Sequence, residues 1–491
     1  MQAITQLGAS ALSLAIHTKE VSCVEVMQAY HAQWARFNPR HNALVNLRSQ
    51  QDLLDDAMAA DQALAAGQSK GWLHGIPQAI KDTSAARGLP TTVGCRPLAR
   101  NTATRDSFMA ARMKGAGAIV VGKTNVPEFG LGSHTFNELF GITRNAWDNE
   151  VAAGGSSGGA CAALALRMLP VADGSDFMGS LRNPAAWHNL FGMRPSQGLV
   201  PFGPQAEVWL SQLGTEGPLA RDVRDLTRLL ATQSGFEPAA PLSWSDPELA
   251  TLADRLPTGP EGLKGLRVGW WGDLNGYLPT ETGVLAACEE GLARLAHAGA
   301  HVMPLRPCFD PEALWRTWLV WRQALTAPRI AAVMAMPGAR DLLKPEALWE
   351  HDQARQLTFA QFDKASQARS AFFGALLKQF ETVDLIALPA AQVWPFPVEQ
   401  RWPHAIDGHP MDTYHRWMEA TISATLAGAP CISVPSGFDP SGRWPMGMQL
   451  IARPRADAQL LRWAAAYETL IGDWLVRQPP ALVSAAQQVP G

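Results

Sequence analysis

AGGSSGG at residues 153–159, an alanine-rich segment, and then VADGSDFMGSLRNPA at residues 171–185 form the part of this 491-residue chain from which the rest can be read. Glycine is used where the backbone takes φ > 0 or approaches another group closely, at an entropic cost relative to alanine. Gly154-Gly155 and Gly158-Gly159 flank two hydroxyls, which points to backbone shaped for chemistry. A second small cluster runs from Gly174-Ser175-Asp176 to Gly179-Ser180, so that Ser180 stands 24 residues after Ser156. Residues 160–169 between them have the length and composition of a packed helix, which can carry the second serine back to the first.

On the N-terminal side, residues 71–82 read as a loop entering a short apolar strand that ends in Lys81. Residues 107–114 read as a helix and 118–121 as a buried strand before Gly122-Lys123-Thr124-Asn125. Such alternation argues for an α/β protein whose sheet is mostly parallel and covered on both faces. Further back, Ser22 with Glu25 has the form of a capping box opening an amphipathic helix that Asn38-Pro39 stops. A second helix covers 51–66. On the C-terminal side, 235–260 is a surface excursion and 266–271, 384–389, 429–435 and 446–452 are strands. Residues 311–373 are largely helical and carry Trp315, Trp318 and Trp321, 394–412 form a long loop, and 456–471 a helix. With no internal repeat or low-complexity linker, one domain over 1–491 is expected, with a helical region over about 1–65.

Hydrophobic residues make up 47% and charged residues 17% of the chain, which suits a folded core and excludes a disordered protein. The formal net charge of −3 offers no basic surface for nucleic acid. No segment reads as a signal peptide or a membrane span, since residues 160–172 are interrupted by Arg167 and Pro170. The six cysteines lie far apart without a Cys-x-x-Cys pair. A reducing, cytoplasmic setting is therefore expected.

Several chemistries compete for the serine cluster. Gly155-Ser156-Ser157-Gly158-Gly159 satisfies Gly-x-Ser-x-Gly and would make Ser157 the nucleophile of a strand-to-helix elbow, but leaves Ser180 and Lys81 without roles. A phosphate loop lacks its closing Lys-Ser/Thr pair. His404, Asp407, His409, Asp412 and His415 raise a metal site without a fixed ligand spacing. Lys81 taken alone reads as a strand-end lysine paired with Asp82, and His188 as a histidine filling a helix face, although it can also be proposed as a base.

Taken together, Lys81 at a strand end, Ser156 in a doubled-glycine turn and Ser180 in Gly-Ser-Asp-Phe-Met-Gly-Ser resemble the amidase signature family of serine hydrolases. Gly75-Ile76-Pro77, Gly122 to Asn125 with Glu128-Phe129, Gly141 to Asn145, Gly217 to Ala220, Leu426 to Pro430 and Met446 to Leu450 resemble family landmarks in the family's order, from about residue 10 to 470. The resemblance implies an α/β fold with a large mixed sheet covered by helices on both faces. It also implies a Ser-cisSer-Lys triad in which Ser180 attacks the carbonyl, Ser156 relays the proton on a cis peptide, and Lys81 is the base. A serine hydroxyl is a weak nucleophile until a base takes its proton, and burial is what lets a lysine be that base.

The resemblance assigns the oxyanion to the backbone N–H groups of Phe177, Met178, Gly179 and Ser180, while Asp176 with Arg182 reads as a structural ion pair bracing that loop. Met178 stands where the family usually has glycine. The activity implied is hydrolysis of small, apolar or aryl amides, with carbamates and esters also in view, through an acyl-enzyme on Ser180 and with no metal or organic cofactor. A small-molecule amide is the expected partner, with no nucleic acid and no membrane, and a homodimer is left open. The alternative is a glutaminase-type subunit of a tRNA-dependent amidotransferase. Substrate choice is expected to rest on variable insertions at about 200–260 and 311–420.

Overall fold

The computed structural model describes residues 2–487. Its centre is an eight-stranded sheet in the order His301–Pro304, Arg267–Trp270, Leu385–Pro389, Pro445–Ala452, Cys431–Phe438, Phe191–Arg194, Thr215–Ala220, Ala172–Asp176. The pairs at the first edge, up to Leu385–Pro389, are parallel, and all the others are antiparallel. The sheet is thus mixed, and the mostly parallel arrangement suggested by helix–strand alternation is corrected. Every residue of Leu385–Pro389 and Pro445–Ala452 is buried. Since successive side chains point to opposite faces, both faces of the sheet are covered. Helices Val284–His297 and Arg182–Ala186 pack on its centre and Val223–Gln233 beside its edge.

The strand that ends in Lys81 belongs to a separate three-stranded sheet, in which Ile119–Thr124 lies between Leu44–Val45 and Pro77–Lys81. Helix Gly158–Ala165 docks on this small sheet. Its close approach explains a glycine: a Cβ on Gly159 would lie 2.5 Å from Asn125 N and 2.7 Å from Ala43 O. All eight residues of that helix are buried, as an alanine-rich run between two layers requires.

Toward the N-terminus, the capping box of Ser22 and Glu25 is formed and opens helix Cys23–His41. Pro39 does not stop it. The helix runs on past Pro39 and ends at Asn42, whose φ of 48° closes it in the left-handed region. The tryptophan-bearing segment folds as Pro311–Met334, Pro345–Ala354 and Phe359–Gln379. Among the described residues no helix is long and apolar enough to cross a membrane.

Candidate active site

Lys81, Ser156 and Ser180 come from different layers; the two serines line one cavity and Lys81 lies behind Ser156. Lys81 ends a strand of the small sheet, Ser156 lies in the turn before Gly158–Ala165, and Ser180 follows the edge strand Ala172–Asp176 of the large sheet. Ser156 and Ser180 both line the cavity, and the chain segments are tied by Ser157 N–H donating to the Ser180 carbonyl at 3.3 Å. The Gly155–Ser156 peptide is cis. Its neighbours fix the turn: Ser133 Oγ donates to the Gly155 carbonyl at 2.9 Å and Thr135 Oγ1 to the Gly154 carbonyl at 2.8 Å.

Lys81 is completely buried. Its Nζ stands 2.9 Å from Ser156 Oγ, 2.8 Å from Ser157 Oγ and 3.2 Å from the Ser175 carbonyl. Burial pushes the Lys81 amine down to about 7 against the opposing pull of Asp173 and Asp176. A neutral amine carries two N–H donors and one lone pair. Ser157 Oγ and the Ser175 carbonyl can take the two donors, which leaves the lone pair for the proton of Ser156. Asp82 is not the partner of Lys81: it faces Lys123 at 4.0 Å and accepts from Thr92. Asp173 instead accepts from the Lys81 backbone N–H at 3.0 Å.

The loop that precedes Ser180 is held by a buried ion pair. Arg182 donates to both Asp176 oxygens at 2.8 and 2.9 Å, and Arg194 adds a second cation at 3.7 Å. Burial alone would raise the Asp176 carboxyl, but Arg182, Arg194 and the N–H of Leu181 outweigh it and hold it below the usual carboxylate range. Asp176 also accepts from Gly179 N–H at 2.9 Å. Of the four N–H groups expected to meet the oxyanion, that of Gly179 is thus engaged by Asp176 in this structure. The N–H groups of Phe177, Met178 and Ser180 have no acceptor among the described residues. Gly179 has a φ of 82°, and a Cβ there would sit 2.5 Å from Thr421 Cγ2. Breaking a buried pair costs about 3–5 kcal/mol, so Asp176→Ala lowers the denaturant midpoint by that equivalent, to be checked by urea unfolding.

The other candidates fall elsewhere. Ser157 is fully buried, is not among the cavity-lining residues and is hydrogen-bonded to Lys81, which argues against the elbow reading. His188 is buried, hydrogen-bonded to the Pro184 carbonyl and to Ala146 N–H, and pushed down to about 4 by burial. His415 is enclosed by Trp315, Trp349 and Tyr414, and no group of three His, Cys, Asp or Glu converges among the described residues. Trp315, Trp318 and Trp321 are core residues, although Trp318 also packs on Phe177 with centroids 5.4 Å apart.

Sequence reasoning missed Arg322. It is buried at the cavity wall beside Met178 and pairs with Glu350 and Tyr414. Its signal was a charge one helical turn after Trp318, on a stripe otherwise apolar. The cavity is lined by apolar Phe129, Leu131, Phe177, Met178, Leu325 and Met418 together with polar Thr83, Ser175, Ser211, Thr215, Thr326 and Arg329.

A model of the Amidase family matches residues 25–461. The chain belongs to the amidase signature family. Over 480 residues it is 32% identical to an acylamidase of Rhodococcus erythropolis, covering 96% of this chain and 97% of the relative. It is also 32% identical over 498 residues to a glutamyl-tRNA(Gln) amidotransferase subunit of Mycobacteroides abscessus, covering 96% and 99%. Among solved structures, a bacterial aryl acylamidase of the amidase signature family superposes with a TM-score of 0.87 at 25% identity, covering 96% of this chain and 97% of that one. This amidase is accordingly a hydrolase of carbon–nitrogen bonds acting on amides.

Proposed function

We propose that the protein is a free-standing amidase that cleaves small apolar or aryl amides through an acyl-enzyme on Ser180. Ser180 Oγ attacks the carbonyl carbon while its proton passes to Ser156 Oγ, and the Ser156 proton passes to Lys81 Nζ. The oxyanion is met by the N–H groups of Phe177, Met178 and Ser180, the form of preorganised donation that contributes most to such reactions. Collapse returns the proton through the relay to the amine nitrogen as the C–N bond breaks. Water then takes the place of the amine and releases the acid. The observation that carries this reading is the fully buried Lys81 amine, held near neutrality 2.9 Å from Ser156.

The aromatic and aliphatic part of the wall, which includes Phe129, Phe177, Met178 and Leu325, and the similarity to an acylamidase support apolar amides. Equal identity to an amidotransferase component supports the second reading, in which the chain is the glutaminase part of an assembly. Assaying the purified chain alone on glutamine and on a set of anilides decides between them. Turnover of anilides with none of glutamine is the expected result, and glutamine turnover only with partner proteins would replace it.

Met178 is 2% exposed and its side chain forms part of the cavity wall. Met178→Gly keeps the N–H and opens the wall, so it shifts preference toward bulkier substrates more than it slows acylation. A uniform loss of about 10²–10³ over all substrates, the scale of losing an oxyanion donor, would show instead that the methionine holds the loop in place.

A further inference from the structure

Arg322 lines a cavity wall of mixed polar and apolar residues, and Nη1 of its guanidinium meets no protein oxygen among the described residues. Its Nε donates to Glu350 Oε1 at 2.5 Å and its Nη2 to Tyr414 Oη at 2.6 Å, while Tyr414 Oη donates to Glu350 Oε1 at 2.6 Å. Three side chains from the helix Pro311–Met334, the helix Pro345–Ala354 and the loop before Arg416–Thr421 thus close a buried ring. A guanidinium has five N–H groups in a rigid fork. The ring uses Nε and Nη2. For Nη1 the one partner is Met178 Sδ at 3.9 Å, a thioether and a weak acceptor. Phe177 and Trp318 offer only ring faces, with centroids 5.7 and 5.9 Å from the guanidinium carbon. A buried donor without an oxygen to meet is costly, and this one lies at the wall of the cavity that holds Ser156 and Ser180.

We propose that Arg322 Nη1 recognises a neutral hydrogen-bond acceptor on the substrate, such as a carbonyl or ether oxygen away from the scissile bond. The proposal rests on the acyl-transfer reading of Ser180. The acceptor is neutral because Glu350, itself fully buried, already balances the arginine at contact distance. A carboxylate in the same space would be a second negative charge beside Glu350 without a cation of its own, and its desolvation would go unmatched. Arg329 also lines this cavity, at its exposed end, where it donates to Gln205 Oε1 at 2.9 Å, so the preference for a neutral acceptor applies to the space directly beside Arg322 and Glu350. The occupant is therefore an amide with an apolar body and one additional neutral oxygen. Zwitterionic glutamine does not fit this description.

The test uses matched anilides that differ at one position, with an ether or carbonyl oxygen, a methylene, or a carboxylate, placed in turn on the acyl chain and on the arylamine. For the wild-type protein, kcat/KM for the oxygen-bearing member exceeds that of its methylene twin by about 10–100-fold, the worth of a hydrogen bond to a charged donor. The ratio is the readout. It falls toward one in Arg322→Met/Glu350→Gln, which removes both charges together, and falls in Arg322→Lys, which keeps a cation opposite Glu350 but loses the fork. Labelling of Ser180 by a fluorophosphonate verifies that each variant is folded at the site. A wild-type ratio near one, a ratio retained in both variants, or a preference for the carboxylate would overturn the proposal while leaving acyl transfer intact. If no anilide is turned over and Ser180 takes no label, the acyl-transfer reading itself falls, and this proposal with it.

Discussion

In Ser180→Ala, turnover of every amide, carbamate or ester that the protein accepts falls by on the order of 10⁶, the scale of removing a serine nucleophile. Covalent labelling by a fluorophosphonate disappears with it. Ser157→Ala behaves differently. Its Oγ is a partner of Lys81, not a wall of the cavity, so the variant is slowed but still takes the label, and peptide mapping finds the adduct on Ser180. An adduct on Ser157 in the wild-type protein would reinstate the Gly-x-Ser-x-Gly elbow and remove the present assignment.

Lys81→Ala lowers acylation by about 10²–10⁴, the contribution of a positioned general base, for amides and esters alike. The pH profile distinguishes this from a packing defect. With burial pushing the Lys81 amine down to about 7, the wild-type rate rises as pH passes upward through that value, because the amine accepts the Ser156 proton and the ammonium cannot. The variant loses that acidic limb. Near-native acylation with the limb unchanged would move the base elsewhere. Stability follows with a definite sign: an unfolded lysine titrates near 10.4, so between about pH 7 and 10.4 the unfolded chain binds a proton that the folded one does not. Over that window Lys81 makes stability rise with pH.

Much of the candidate site was legible because its residues sit in local runs. The strand ending at Lys81 and the doubled glycines around Ser156 are contiguous motifs, and so is the Asp176–Arg182 pair, whose members are six residues apart. Strand direction was not legible. Strands buried on both faces, such as Leu385–Pro389, are apolar throughout whether their neighbours are parallel or antiparallel. Pro39 was misread as a stop because a helix tolerates a missing donor near its end when the left-handed Asn42 supplies the cap. The engagement of Gly179 N–H by Asp176 is a matter of backbone direction that residue identity does not encode. The Arg322–Glu350–Tyr414 ring escaped because Glu350 lies 28 residues from Arg322 and 64 from Tyr414, with no periodicity to connect them.

The proposed triad draws its base and its nucleophile from two different sheets, which makes activity a gauge of how the sheets are assembled. Lys81 rides on three strands that share no backbone ladder with the eight carrying Ser180. The junction beside the base includes a contact of a different kind, the Lys81 N–H on the Asp173 carboxylate. Opening that junction separates base from nucleophile while both ladders persist. Activity should therefore vanish at denaturant concentrations where far-ultraviolet circular dichroism is still native. In hydrogen exchange, the Lys81 amide should release its proton at that same early step, ahead of the amides of Leu385–Pro389 at the heart of the larger sheet.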